Sequence, residues 1–352
     1  MTSEKRTISR KDAIKRLGGL ALSLPVGLPL ISSIAGTSVA SASHSPNIIP
    51  HRKSDKPNVL WITAEGVPIS VLRNYISNRW GDLRSNLVAT PHINRIAEEG
   101  MQFQNSFCTN ALCAPSRASI LTGKYSQLNG VTANITANPS GHPSRNDFNV
   151  NQPTFAKIMQ QNGYQTATIG KWHLQDEDYK PINPTQVGFD KFAFKTGAGG
   201  PYYNPHGYLQ NLDTGGSKME QKSHPGYITD VFTDMALQTM KSFDQPFLMF
   251  MNFFDDHRPF QPPHKYAHLY DGRRIPEPTT FWDDYEHRSS AAEAARMRIA
   301  YMPDWNAPKD LTLRQRQQYN YQKLMEHFLG TLKALDDNVG KLLNYLDKSG
   351  LA

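Results

Sequence analysis

Cys113 begins a short stretch of sequence whose residue types favour the binding of an anion. Pro115 is of a type favoured at the first position of a helix, and Gly123 is typical of a helix end, so we expect a short helix that begins at Pro115 and ends near Gly123. A helix over this stretch would turn free amide N–H groups and the positive end of its dipole toward a ligand near Cys113. Arg117, one helical turn further on, would aim its planar donor fork at the same place. The pattern predicts a site for an oxyanion, either sulfate or phosphate.

Polar side chains also follow three apolar runs that are typical of buried strands. They are Glu65 after 59–63, Lys171 and His173 after 166–169, and Asp255, Asp256 and His257 after 247–254. Ligands of open α/β sheets bind at the carboxyl ends of the strands. We therefore expect these polar groups to converge with Cys113 on one crevice.

Strands and helices alternate along the chain, which is typical of an α/β domain with a sheet that is parallel at its centre. Helical patterns cover 92–99, 154–161, 229–243, 289–298 and 312–348. Two long stretches rich in loop-forming residues, 175–226 and 262–308, interrupt this alternation. Excursions of this length usually carry binding function.

The first 42 residues have the pattern of an export signal. Basic residues precede an apolar stretch over 17–35, and Ala40-Ser41-Ala42 forms a small-residue cleavage site. Either a Sec route or a twin-arginine route fits this pattern. A membrane anchor is the alternative, but Pro25 and Pro29 interrupt the apolar run. We expect a periplasmic or extracellular protein without a stable membrane anchor, in which a polar linker over 43–56 precedes the folded domain.

Charge and cysteine content restrict the remaining classes of function. Residues 1–42 hold six basic and two acidic residues, so their removal lowers the formal net charge from +7 to +3. No basic face is evident in the remainder, and a nucleic-acid partner is not expected. Cys108 and Cys113 are the two cysteines. They could form a short-loop disulfide in an exported protein, or Cys108 could be a small core residue.

Three motifs resemble those of the sulfatase family. Cys113-Ala114-Pro115-Ser116-Arg117 with Thr122-Gly123, then 170–174 and 257–260, are similar to C-x-P-S-R-x4-T-G, G-K-W-H-L and P-H-x-P. The resemblance extends from about residue 57 to the end. Segments 202–205, 275–278 and 285–290 look like bacterial relatives of N-acetylglucosamine-6-sulfatase. The resemblance to the sulfatase family implies an alkaline-phosphatase-like sandwich, with a central mostly parallel sheet flanked by helices. It also implies that 57–352 is a catalytic domain lacking the later strands and the C-terminal subdomain.

The same resemblance implies a chemistry for each polar residue. A maturation enzyme would oxidise Cys113 to formylglycine, whose hydrate attacks the sulfur of a sulfated carbohydrate. Arg117 would hold the hydrate, and Lys171 would bind the sulfate oxygens. His173 would take the proton that collapses the intermediate, and His257 would protonate the leaving sugar oxygen. A surface position for His257 is the alternative, because Asp256 precedes it where the family usually has proline.

The resemblance further implies a calcium ion, held by an acidic pair after the first strand and a second pair after a later strand. Glu65 and residue 113 would be ligands here, while Gly66 brings no side-chain oxygen. The second pair would fall in a strand expected just after Ala352. Asp336-Asp337-Asn338 could replace it in principle, but these residues match the closing helix of the family.

Three functions fit the sequence. The first is a calcium-dependent sulfatase of sulfated glycans, and the second is a phosphonate or phosphate monoester hydrolase that uses the same formylglycine. The third is an inactive, truncated or glycan-binding relative.

Overall fold

The computed structural model describes most of the chain after the expected linker. The described residues are 56–68, 71–72, 87–134, 148–176, 180–197, 199–209, 216–253, 257–295 and 298–352. They belong to the unit Ile48–Ala352. The expected signal, 1–42, lies outside the described residues, as does the linker apart from Lys56. No helix in the described part of the chain is long and apolar enough to cross a membrane.

Within the described residues, six strands form a single mixed sheet in the order β1-β6-β2-β3-β4-β5. Their bounds are Val59–Ala64 (β1), Gln165–Lys171 (β2), Lys191–Lys195 (β3), His206–Leu209 (β4), Glu220–Ser223 (β5) and Phe247–Phe253 (β6). The first four strands in this order pair in parallel, and β4 and β5 are antiparallel. This arrangement confirms the expected α/β fold with a mostly parallel centre.

The interpretation of 175–226 as loop is wrong at β3, β4 and β5. The two outer strands have four residues each, and β5 is almost wholly exposed. Because they are short and face solvent, they lack the apolar runs that identify a buried strand. β3 is buried throughout, yet it begins and ends with lysine. Its apolar centre is therefore too short to be recognised as a buried strand in the sequence.

Seven helices flank the sheet within the described ranges. They are Pro91–Glu99 (α1), Cys113–Thr122 (α2), Ser126–Asn129 (α3), Phe155–Gln161 (α4), Ile228–Lys241 (α5), Ser290–Glu293 (α6) and Leu313–Ser349 (α7). Short 3-10 turns occur at Pro184–Val187, His264–Tyr266 and Ile299–Tyr301. Of the predicted helix over 289–298, only Ser290–Glu293 is helical among the described residues, and α2 starts at Cys113 rather than at Pro115.

The alternation of side chains along β6 creates the two cores of the domain. Met249 and Met251 pack with α5 and α7 on one face, while Phe250 packs with α2 and α4 on the other. Every residue of β6 is buried because the strand is covered on both faces. α2 is thereby held over the strand ends, where the predicted site residues emerge.

Candidate active site

Cys113 is the first residue of α2 and lines a cleft of about 430 Å³. Leu112 precedes it in extended conformation, and the Ala114 N–H donates to Asn134 Oδ1 at 2.9 Å. Cys113 Sγ donates a hydrogen bond to Glu65 Oε1 at 2.7 Å. Burial and this hydrogen bond raise the pKa of the Cys113 thiol. The unmodified side chain is therefore a protonated thiol at neutral pH and a weak nucleophile.

Glu65 lies between two buried cations. Lys171, the last residue of β2, has no exposed side-chain surface, and its Nζ lies 2.6 Å from the Glu65 carboxylate. Arg117 Nη2 donates to Glu65 Oε2 at 3.1 Å. Burial raises the pKa of Glu65, but the charges of Lys171 and Arg117 outweigh it and lower that pKa to about 2. Glu65 is therefore ionised and neutralises only part of the local positive charge.

Asn252 is a member of the site that the sequence interpretation missed. It is fully buried in β6, and its Oδ1 accepts from Arg117 Nη1 at 3.2 Å and from Thr63 Oγ1 at 2.8 Å. Arg117 Nη1 also donates to the Lys171 carbonyl at 2.8 Å. These contacts orient the guanidinium, whose pKa is lowered by burial. The feature of the sequence that could have indicated Asn252 is that it is a single amide side chain in the otherwise apolar run of β6.

Gly170 allows β2 to approach β6 directly before Lys171. Its φ is +104°, and a Cβ there would lie 2.1 Å from the Asn252 carbonyl oxygen. Glycine alone tolerates both the dihedral angle and the contact. The close approach sets Lys171 and Asn252 side by side at the strand ends.

His173 is a mostly buried histidine with a positive φ of 54°. Burial and the nearby positive charges of Lys171 and Arg117 lower its pKa to about 4. Its Nδ1 has no hydrogen-bond partner among the described residues. The imidazole is thus neutral at pH 7 and has the protonation state that a general base requires.

His257, which follows β6 in the chain, lies beside Glu65 and Cys113. One of its ring nitrogens, a Glu65 carboxylate oxygen and Cys113 Sγ all lie within 4.8 Å of one another. The structure therefore brings His257 to the cleft rather than to an isolated surface position. Asp255 and Asp256, which precede it, lie outside the described residues.

Both cysteines line the cleft and neither is oxidised to a disulfide. Cys108 is exposed, so its interpretation as a core residue is wrong. The segment that carries it runs over the surface as a loop before α2, where its side chain faces the cleft instead of the sheet.

The described residues do not fit a complete calcium site. Calcium takes six to eight oxygen ligands, whereas the cluster around Cys113 offers one carboxylate, one thiol and one imidazole. Asp336 is committed elsewhere, since its Oδ1 accepts from the His92 and Ile93 N–H groups at the start of α1. Among the described residues, Glu65 is the carboxylate that would ligate a calcium ion.

Comparison with known proteins establishes the family. The sulfatase family model matches residues 57–352. The chain belongs to the sulfatase family. It is 32% identical over 371 aligned residues to N-acetylglucosamine-6-O-sulfatase from Bacteroides thetaiotaomicron, which covers 91% of this chain and 60% of that relative. Arylsulfatase G from Rattus norvegicus is 34% identical over 162 residues, 45% of this chain and 26% of its own.

Solved structures of sulfatases share the fold. The structure of BT4656 in complex with its substrate, D-glucosamine-2-N,6-O-disulfate, is 31% identical, with a TM-score of 0.69 over 84% of this chain and 63% of that one. A phosphonate monoester hydrolase from Silicibacter pomeroyi, 20% identical, gives a TM-score of 0.55 over 84% and 60% and shows the fold alone. This sulfatase-family chain thus covers about 60% of the length of the Bacteroides N-acetylglucosamine-6-O-sulfatase and of BT4656.

Proposed function

We propose that this chain hydrolyses a sulfate ester of a glycan, with formylglycine made from Cys113 as the nucleophile. The observation that carries the proposal is the position of Cys113 at the α2 N-terminus, where Glu65 accepts its hydrogen bond and pairs with both Arg117 and Lys171. Two buried cations at the positive end of a helix dipole suit a tetrahedral anion. Membership of the sulfatase family supports sulfate over other anions.

Each side chain has a role that its geometry supports. The hydrate of formylglycine supplies the attacking hydroxyl when Cys113 has been oxidised. Lys171 and Arg117 donate to the oxygens on which negative charge collects. His173, neutral at pH 7, accepts a proton, and His257 delivers one to the leaving oxygen. Calcium, which the family resemblance implies, would be ligated by Glu65 together with residues beyond the described cluster.

The proposed substrate is a glycan that carries sulfate on O6 of glucosamine. The relative with 32% identity is an N-acetylglucosamine-6-O-sulfatase, and BT4656 has a 6-O-sulfated glucosamine as its substrate. We propose export through the segment 1–42 and conversion of Cys113 by a formylglycine-generating enzyme. N-terminal sequencing of the protein recovered from the cell envelope or medium should then start at Ser43.

A paired assay tests the function. The chain is produced with a formylglycine-generating enzyme, and the peptide around Cys113 is read by mass spectrometry. We expect conversion of Cys113 and turnover of N-acetylglucosamine 6-sulfate, with far slower turnover of the 6-phosphate. Cys113→Ala should abolish turnover, whereas Cys108→Ala, at the exposed cysteine in the same cleft, should retain it.

The other functions give different results in the same assay. Preference for the phosphate ester would indicate a phosphate or phosphonate monoester hydrolase. Binding of a sulfated glycan without turnover, by a chain in which Cys113 has been converted, would indicate a binding protein. The solved phosphonate monoester hydrolase shares only the fold with this chain and does not favour phosphate over sulfate.

A further inference from the structure

The hydrogen bond made by His257 determines which of its ring nitrogens carries the proton. Nδ1 lies 2.8 Å from the backbone carbonyl oxygen of Arg258. A carbonyl oxygen can only accept, so Nδ1 must donate, and the neutral ring is the Nδ1–H tautomer. Because Nδ1 is engaged, Nε2 is the nitrogen left to exchange a proton with a ligand near Glu65 and Cys113.

Asp304 fixes Arg258, the residue whose backbone carbonyl accepts this hydrogen bond. Arg258 donates from Nε and Nη2 to the two carboxylate oxygens of Asp304, at 3.1 and 2.9 Å. The Asp304 side chain is only 10% exposed. A bidentate pair in a mostly buried setting fixes the orientation of both partners. The Arg258 carbonyl is thereby kept in place under the imidazole of His257.

Tyr202 binds the peptide unit that precedes Arg258. Its ring is buried, at 1% exposure, and its hydroxyl donates to the carbonyl oxygen of His257. The Phe260 N–H donates to that oxygen as well, at 3.0 Å. Phe260 packs edge-on against Phe328 of α7. The peptide units before and after Arg258 are therefore both anchored to the body of the domain.

We propose that Asp304, acting through Arg258, and Tyr202 are positioning residues that hold His257 as the Nδ1–H tautomer with Nε2 toward Cys113. The catalytic consequence rests on the proposed sulfatase function. When the S–O bond to the sugar breaks, its electron pair stays on the sugar oxygen, which takes the proton from Nε2 of the imidazolium. The ring is left neutral as the Nδ1–H tautomer, still bound to the Arg258 carbonyl.

The tautomer can be read without any turnover. Long-range ¹H–¹⁵N correlation spectra of the ¹⁵N-labelled chain distinguish the two neutral forms, and the His257 signals are assigned by their loss in His257→Gln. We expect the Nδ1–H form in the unsubstituted chain. In Asp304→Asn and in Tyr202→Phe we expect a mixture with the Nε2–H form.

Two controls match these changes in chemistry. Asp283→Asn breaks another Arg–Asp pair, with Arg288, and Tyr270→Phe removes another tyrosine hydroxyl that donates to a backbone carbonyl. Both should leave the His257 signals unchanged. The proposal is overturned if the unsubstituted chain shows the Nε2–H form, or if folded Asp304→Asn and Tyr202→Phe both keep the original spectrum.

The dependence of the rate on the leaving group distinguishes a role in positioning the general acid His257 from a general loss of active-site structure. For N-acetylglucosamine 6-sulfate we expect Asp304→Asn to lower kcat by up to about 100-fold with little change in KM. For 4-nitrophenyl sulfate we expect little change, since nitrophenolate leaves without a proton. Equal losses on both esters would contradict a positioning role. If the unsubstituted chain cleaves neither ester, the proposed function fails, while the tautomer spectra still decide the positioning proposal.

Discussion

At the scale of single residues, the cleft is dominated by buried positive charge. Lys171 and Arg117 share the carboxylate of Glu65. Lys195, which pairs with Lys171 across β2 and β3, is also buried, and burial together with the Lys171 charge lowers its pKa. Buried charges of one sign create a strong local potential in a low-dielectric setting. An anion such as sulfate relieves that repulsion, so ligand binding should stabilise this part of the protein.

A substitution at Gly170 tests the close contact that places Lys171. We expect Gly170→Ala to lower the free energy of unfolding by at least about 3 kcal/mol, because the new Cβ meets a backbone oxygen that cannot move aside. Urea denaturation measures the loss. Gly272→Ala is the matched control, since Gly272 also has a positive φ but open space around its Cβ position, and it should cost about 1 kcal/mol. Equal losses would show that the dihedral angle, not the contact, decides.

At the scale of elements, α7 holds α1 and α5 through polar side chains. Asp336 accepts from two N–H groups at the start of α1, and Gly340 lets the His92 ring lie against the α7 backbone. Asn338 and Lys341 donate to Asp230 in the first turn of α5. Carboxylates are favourable at both helix N-termini. The Asp336-Asp337-Asn338 run therefore has a structural use in the described fold.

Removal of the Asp336 carboxylate should destabilise α1. Asp336 is fully buried, so Asp336→Ala leaves two backbone N–H groups without an acceptor and creates a small void. We expect a loss of about 2 to 3 kcal/mol in the free energy of unfolding, measured by urea denaturation. Asp336→Asn keeps one acceptor oxygen and should lose less. A loss in Asp336→Asn as large as in Asp336→Ala would show that the charge, rather than the acceptor, matters.

Asp230 should make stability depend on acid pH. Burial raises its pKa, but the donors Lys341 and Asn338 outweigh this and hold it below the usual value. A pKa lowered by folding means that the stabilisation is complete above the unfolded pKa of about 4 and is lost as the pH falls through the folded value. We expect Asp230→Asn to cost about 1.5 kcal/mol at pH 7 and to flatten the acid limb of the stability curve.

The control for Asp230 lies one turn further along α5. Asp234 is exposed, so Asp234→Asn should change the free energy of unfolding by less than about 0.5 kcal/mol and leave the acid limb unchanged. Chemical denaturation at a series of pH values between pH 2 and pH 7 compares the three proteins. If Asp230→Asn retained the full acid dependence, the Lys341 and Asn338 contacts would not be its source.

At the scale of the whole molecule, the sequence predicts the elements whose burial requires a recognisable apolar pattern. β1, β2 and β6 are apolar runs, and Glu65, Lys171 and His257 after or at the ends of these runs lie near Cys113 as expected, whereas Asp255 and Asp256 lie outside the described residues. The outer strands β4 and β5 were not predicted, because exposed strands place no constraint on hydropathy. Asn252 was missed for a related reason. Its function depends on contacts with Arg117 and Thr63, which are distant in sequence and have no local signature.

Hydrogen exchange tests the strand order across the molecule. β6 pairs with β1 and β2 on its two sides and is buried throughout, so its amides should open only in the most costly unfolding events. Among the described strands, β5 is at the far edge of the sheet, pairs only with β4 and is mostly exposed. We expect peptides from β5 to exchange early and those from β6 last, as measured by mass spectrometry. Similar protection of β5 and β6 would contradict this order, because an edge strand cannot share the stability of the central one.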